Sequence, residues 1–441
     1  MSKEYIQMLE MRILEIEVEN ERLRRENDAL RNRLRFYENP NTPPSQPTLK
    51  RKRDERVQGD EKTKKKRGAP KGHRGATRKR MEPDEVIHLS MGQCPHCNHD
   101  LGEPIKTETK LIEDLPPPRK IKVTQFDTDV YRCPNCGAEV RGKHEDCPQV
   151  GTLGVYLLVY ITMLKYHLRG PVRKVRDFLY YDTTFEISPK GVMDGLLRVG
   201  DACKNGYEDL IQRIRRSRWV YADETGMKVN GERWWLWIFR TDNGDVLTVI
   251  RRSRGKDVPQ EILGEYNGVV IADGWRAYNG FTLQRCWAHL LRVVDDCDAS
   301  AEGKRLSADI HLKFDELKEI LGKDPPIEER EQMKARLDRE MEELVERYDC
   351  KETEKPRTYI KNGLGRWYTC LLYPGMEPTN NLGEQAMREH VIMRKIIGTF
   401  RSENGSANYQ YIASMLATWK LQGKNPFEEL ESLLRRELCL K

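Results

Sequence analysis

Apolar residues recur at alternating three- and four-residue steps through the first 38 positions. Ile6, Ile13, Asn20, Asn27 and Leu34 occupy one seam position, and Leu9, Ile16, Leu23, Leu30 and Tyr37 the other. These are the a and d positions of a heptad repeat. No Gly or Pro interrupts residues 1–38, and the segment is largely polar outside its seam, which favours a coiled coil over one amphipathic helix docked on a body. Parallel pairing in zero register sets Asn20 and Asn27 against their twins. It also places Arg12 against Glu17, Glu19 against Arg24 and Glu26 against Arg31. Residues 4–38 are therefore expected to form a two-stranded homodimer. Asn39-Pro40 ends the helix, and residues 39–82 show no hydrophobic period, as a disordered basic linker would.

The pattern resumes at residue 149. Val155–Tyr166 is mostly apolar, Gly170-Pro171 punctuates a helix start, and Ser188-Pro189 supplies an N-cap and a first-turn proline. Residues 149–217 thus read as a helical domain, either a helix-turn-helix or a packing unit. From Arg218 the period changes. Trp219–Asp223, Arg233–Arg240, Val246–Ile250 and Gly268–Ala272 read as strands, with Asn243-Gly244 as a hairpin turn and Lys256–Leu263 as a helix. Strand, strand, strand, helix, strand is the order of a ribonuclease H-like core, in which the first and fourth strands are neighbours. Residues 218–289 form its first part, 290–375 a helical insertion, 376–423 its second part, and 424–441 a C-terminal helix. The fold class is α+β and multidomain.

Charge sharpens this picture. Residues 50–80 carry 15 Lys/Arg against 4 Asp/Glu, in a chain whose total is only +7. So concentrated a positive stretch points to a polyanion, with nucleic acid the first candidate. Lys64, Lys65, Lys66, Arg67, Lys71 and Arg74 lie in its Gly- and Pro-containing part, where an extended backbone can track phosphates or lie in a minor groove. The N-terminus is charged from Lys3 and the longest apolar run, Val155–Leu164, is too short for a bilayer. A cytoplasmic protein with no membrane contact is expected, and its 11 cysteines read as thiols or metal ligands. Cys94-Pro-His-Cys97 and Cys133-Pro-Asn-Cys136 have the spacing of two zinc knuckles. The four cysteines would hold one structural Zn2+ in a ribbon over residues 83–148, with strands near Ile121–Phe126 and Thr128–Tyr131. His96, His99, His144 and Cys147 are substitute ligands.

Two of the strands end on acids, Asp223 and Asp273, which would face each other at one end of the sheet. Carboxylates so placed repel each other, and a pair of hard cations, Mg2+ or Mn2+, relieves the repulsion. Glu384, in the early turns of a helix capped by Thr379 or Asn380, is the candidate third acid. Arg388, Arg394, Lys395 and Arg401 would extend a basic, DNA-contacting face from that helix.

Tyr221-Ala-Asp-Glu-Thr225, Asp273-Gly-Trp-Arg-Ala-Tyr278, Cys286-Trp-Ala-His289 and Asn380-Asn381-x-x-Glu384, with the later Arg394-Lys395, Phe400 and Ser402, resemble the motifs of the insertion sequence 66 family of DDE transposases. The resemblance runs upstream to the zinc ribbon and the Gly68–Gly75 segment. It implies Asp223, Asp273 and Glu384 as a metal-binding triad that cleaves element ends and joins a 3′-OH to target DNA, with accessory proteins as further partners. It also implies a C-x-x-H signature in Cys286 and His289, which as one Cys and one His read as a satisfied structural pair. Gln385 departs from the family, where Arg commonly follows the catalytic Glu. A structure-specific nuclease on the same fold and a catalytically inactive DNA-binding descendant are the rival readings.

Overall fold

The computed structural model describes residues 120–297 and 300–441, with positions 86, 87, 93, 96, 100 and 106. The expected coiled coil, the basic linker with Lys64, Lys65, Lys66, Arg67, Lys71 and Arg74, and the cysteines Cys94 and Cys97 lie outside the described residues. Residues 44–121 make a unit apart from residues 122–441. Within the smaller unit Gln93 bridges Asp100 in antiparallel fashion.

In the larger unit, strands β1 (Val130–Arg132) and β2 (Glu139–Arg141) pair around the turn that carries Cys133 and Cys136. The expected strand over Ile121–Phe126 is absent. Residues 121–129 are nearly all exposed and form no strand, and pairing begins only at Val130.

Helices α1 (Val155–Thr162), α2 (Val172–Thr183) and α3 (Pro189–Arg215) follow. Ser188 caps α3, its Oγ accepting the Gly191 N–H at 3.0 Å, and Pro189 takes the first helical position. The far half of α3 runs beneath the sheet, where Tyr207, Leu210 and Ile214 meet Val220, Phe239 and Val270.

The sheet has the order β5-β4-β3-β6-β7, with β3 (Trp219–Val229), β4 (Glu232–Arg240), β5 (Val246–Arg251), β6 (Val269–Ala272) and β7 (Thr282–Arg285). The first three strands are antiparallel. Helix α4 (Asp257–Leu263) crosses over, and β6 then pairs in parallel with β3, Trp219 opposite Val269. The sequence reading ends the first strand at Asp223, but β3 continues to Val229. Its antiparallel partner β4 outlasts the parallel one, and Asn230-Gly231, both at positive φ, makes the hairpin turn.

Strand alternation gives the sheet two apolar faces. Val220, Ala222, Trp237 and Phe239 lie against α3 and α4. Trp219, Tyr221, Val269 and Ile271 lie against α5 (Trp287–Asp295), α6 (Ala301–Lys323), α7 (Ile327–Arg347) and α8 (Glu354–Lys361). Trp287 anchors that second layer, stacked on Phe314 at 5.3 Å and edge-on to Trp367 at 5.9 Å. Such aromatic pairs add about 0.5–1.5 kcal/mol each beyond area burial. Further along the same face, Leu236, Ile238 and Ile250 meet α9 (Asn381–Ile397) and α10 (Glu403–Leu421), and α11 (Pro426–Leu434) closes the helical layer on α1 and α3.

Edge strand β5 is closed by α10. The N–H groups of Val246, Thr248 and Ile250 donate to Thr418 Oγ1 (3.0 Å), Ser414 Oγ (2.8 Å) and Gln410 Oε1 (3.1 Å). Period 2 on the strand matches period 4 on the helix, so no free ladder remains there to recruit another chain.

Candidate functional site

Asp223 sits where the parallel ladder of β3 stops, and Asp273 immediately follows β6. By strand alternation both follow the face of Tyr221 and Ile271, toward α9. Each carboxylate is fixed by its own backbone: Asp223 Oδ1 accepts the Glu224 N–H and Asp273 Oδ1 the Trp275 N–H, both at 2.9 Å. The Tyr359 hydroxyl donates to the Asp273 carbonyl at 2.6 Å, bringing α8 of the insertion onto the site. Burial pushes the Asp223 carboxyl well up from the ordinary range, and the charges of Glu224, Asp273 and Glu384 push it further. A group so crowded by like charge favours a proton or a cation.

Glu384 lies in the first turn of α9, and Asn380 places it. The expected N-cap position is occupied, but Asn380 makes no side-chain cap; its Nδ2 donates to the Ala222 carbonyl at 2.8 Å, while its N–H donates to Cys286 Sγ at 3.1 Å. One residue thus ties the start of α9 to β3 and to the end of β7. Gly383 makes room for it: a Cβ there would come within 2.5 Å of Asn380 Oδ1.

Helix α5 faces Glu384 with a guanidinium and an imidazole. Arg292 Nη2 is 3.1 Å and His289 Nδ1 3.5 Å from Glu384 Oε1. Burial and then Arg292 hold His289 below its ordinary pKa, against the pull of Glu384 and Asp273. The reading of Cys286 and His289 as a satisfied pair is corrected here. The thiol has its donor in Asn380, but His289 Nδ1 is enclosed without a hydrogen-bond partner.

A fourth acid, absent from the sequence reading, lies one residue from Asp223 and therefore on the opposite face of β3. The Glu224 side chain is 2% exposed. It accepts from Arg254 (2.9 Å) and from the Tyr278 hydroxyl (2.9 Å), and burial followed by the Asp273 charge lifts it to about 7. Arg254 in turn lies between Trp275 and Trp235, 3.8 and 4.5 Å from their ring centroids. The only sequence signal for Glu224 was its neighbourhood, since Glu224 and Tyr278 belong to the two motifs that carry Asp223 and Asp273.

The basic residues of α9 divide. Arg394 is half-buried and donates to Thr225 Oγ1 at 3.1 Å and to the Gly226 carbonyl, so it pins α9 to β3. Lys395 and Arg401 are exposed and Arg388 is half-buried. Gln385 also has a partner: its Oε1 accepts from the buried Arg240 guanidinium at 3.1 Å, beside the Leu382 carbonyl at 3.0 Å. An arginine at 385 would meet that guanidinium as a like charge. Away from this site, Cys133 and Cys136 share the β1–β2 turn, whose N–H groups at Cys136 and Asn135 draw the Cys133 thiol down from its ordinary pKa.

The sequence model described as Transposase IS66 family matches residues 151–408, a span containing every residue of this site. Two proteins of Sinorhizobium fredii are similar. One, an uncharacterized protein designated y4qI, is 26% identical over 318 residues, with 64% of this chain and 59% of that protein covered. The other, an uncharacterized protein designated y4jD, is 23% identical over 403 residues, covering 80% of this chain and 76% of its own length.

Proposed function

Because the chain belongs to the IS66 family of transposases, we propose that it is a DDE-type transposase with a ribonuclease H-like core, in which Asp223, Asp273 and Glu384 act on DNA. The observation that carries this reading is the convergence of charge on Asp223. A carboxylate raised by burial and then by the charges of three other acids is suited to cations. The donors are all carboxylate oxygens, which fit Mg2+ or Mn2+ and fit soft ions poorly. Two such ions, when bound, supply charge stabilisation to the attacking and leaving oxygens of a phosphodiester.

The chain's own groups do the positioning. Asp223 and Asp273 are held by their backbone N–H contacts and Glu384 by the anchored start of α9. Arg292, 3.1 Å from Glu384, is partly exposed, and its side chain can turn toward solvent or a phosphate. Water then cleaves at the element end to leave a 3′-OH, and that hydroxyl attacks a target phosphodiester, with no covalent protein–DNA bond.

DNA contact through Lys395, Arg401 and the basic residues 62–80 belongs to the same proposal, as do one Zn2+ on Cys94, Cys97, Cys133 and Cys136 and a homodimer through residues 4–38. Among the described residues no helix is long and apolar enough to cross a membrane.

Asp223→Asn, Asp273→Asn and Glu384→Gln should each abolish Mg2+-dependent cleavage and strand transfer of labelled element ends while end-binding stays near wild type. Wild-type cleavage by any one of them removes that residue from the triad. Cleavage without joining by the parent chain would leave a nuclease, and no reaction at all a binding protein.

A further inference from the structure

The Cys286 Sγ, a ring nitrogen of His289 and a Glu384 oxygen all lie within 4.8 Å of one another. This is a second donor set beside the carboxylates, and its chemistry differs: sulfur, imidazole and one carboxylate oxygen instead of oxygen alone. Cys286 stands at the N-cap of α5 and His289 one turn on, so the helix turns both toward the start of α9. Asn380, which anchors Glu384, also binds the sulfur through its N–H. The orphaned His289 Nδ1 is a buried acceptor or donor that nothing in the chain satisfies, and a buried polar atom left without a partner is costly. A bound ion would give that nitrogen a partner, which the Cys–His pair by itself does not.

We propose that Cys286, His289 and Glu384 form a site for one borderline-soft divalent cation, Zn2+ in kind. Three protein donors leave a fourth, open position, the arrangement of non-structural zinc sites. Thiolate and imidazole select Zn2+ or Co2+ over Mg2+. Binding releases the thiol proton to solvent and displaces Arg292 from Glu384 Oε1, a move open to a side chain 44% exposed. Since Glu384 is also the third acid of the proposed catalytic set, this site rests on that reading for its consequence: a soft ion here claims the carboxylate that completes the hard-ion set. It does not rest on that reading for its existence.

The test is a Co2+ titration of the metal-stripped full chain, followed by thiolate-to-cobalt charge transfer and by bound metal per chain. Cysteines elsewhere contribute equally to parent and variants. Cys286→Ser should bind one equivalent fewer than wild type and lose the corresponding charge-transfer intensity. His289→Ala, at a half-exposed position that spares the core if Cys286→Ser misfolds, should weaken that equivalent at least about tenfold. Glu384→Gln should weaken it too, and excess Mg2+ should leave the band in place. Identical stoichiometry and spectra in wild type, Cys286→Ser and His289→Ala would overturn the site, as would loss of the band to Mg2+. If Glu384→Gln still cleaves DNA while its cobalt binding is weakened, the catalytic assignment fails and this one stands.

Discussion

Asn380 Nδ2 donates to the carbonyl of Ala222 across 2.8 Å, joining positions 158 residues apart. The bond is buried, Asn380 being 1% exposed. It sets the start of α9, and with it Glu384, against the strand that carries Asp223.

Asn380→Ala should therefore act on stability and on the site together. It removes the amide donor from the Ala222 carbonyl and keeps the backbone N–H contact to Cys286 Sγ, a loss of about 1–3 kcal/mol. Chemical denaturation should show this drop, and DNA cleavage should fall further than DNA binding. Unchanged stability would mean that the amide is replaced by another partner.

Glu224 and Arg254 should behave as one unit. Arg254→Met leaves a carboxyl that is 2% exposed without its guanidinium, though with the Tyr278 hydroxyl still donating to it; the partner being 36% exposed, the loss should be about 1–3 kcal/mol. The double variant Glu224→Gln with Arg254→Met should recover much of that loss. Additive effects in the double-mutant cycle would show that the two side chains do not interact.

Gln385→Arg, toward the residue common in the family, should lower stability by about 1 kcal/mol, because Arg240 Nη1 loses its amide acceptor and gains a like charge. The new side chain is exposed and can turn outward, which keeps the effect small. A stabilised variant in urea unfolding would reverse this account of Gln385.

His390 should make stability pH-dependent. Burial holds its imidazole down to about 4, with Nδ1 2.7 Å from the Tyr409 hydroxyl and Nε2 3.3 Å from Thr248 Oγ1. The folded pKa is below the unfolded value of roughly 6.5. The contribution is thus present above pH 6.5 and lost as pH falls through 4, about 3 kcal/mol over the window. His390→Gln should flatten the stability profile between those limits. An unaltered slope in thermal melts from pH 4 to 7 would exclude His390 as its source.

Much of the fold was legible because local rules carry it. Runs of Trp, Val, Ile and Phe along 219–251 read as strands, which the sheet buries on both faces, and Ser188-Pro189 reads as a helix start. The length of β3 was missed because Asp223 and Glu224 interrupt the apolar run, although Asn230-Gly231 carried a turn signal. The strand survives two acids because each finds its own environment on opposite faces.

By itself the sequence determined the elements, their order, the family motifs and the adjacency of the strands bearing Asp223 and Asp273. The elements follow from periodicity, the adjacency from the ribonuclease H-like order of those elements, and the motifs from the resemblance to the family. Only the tertiary structure decided which groups meet. Arg292 and His289 reach Glu384 from a helix about ninety positions earlier, and Arg254 and Tyr278 converge on Glu224 from two separate segments of the chain. Side-chain contacts between elements depend on rotation and packing in three dimensions, and no local pattern in the chain encodes them.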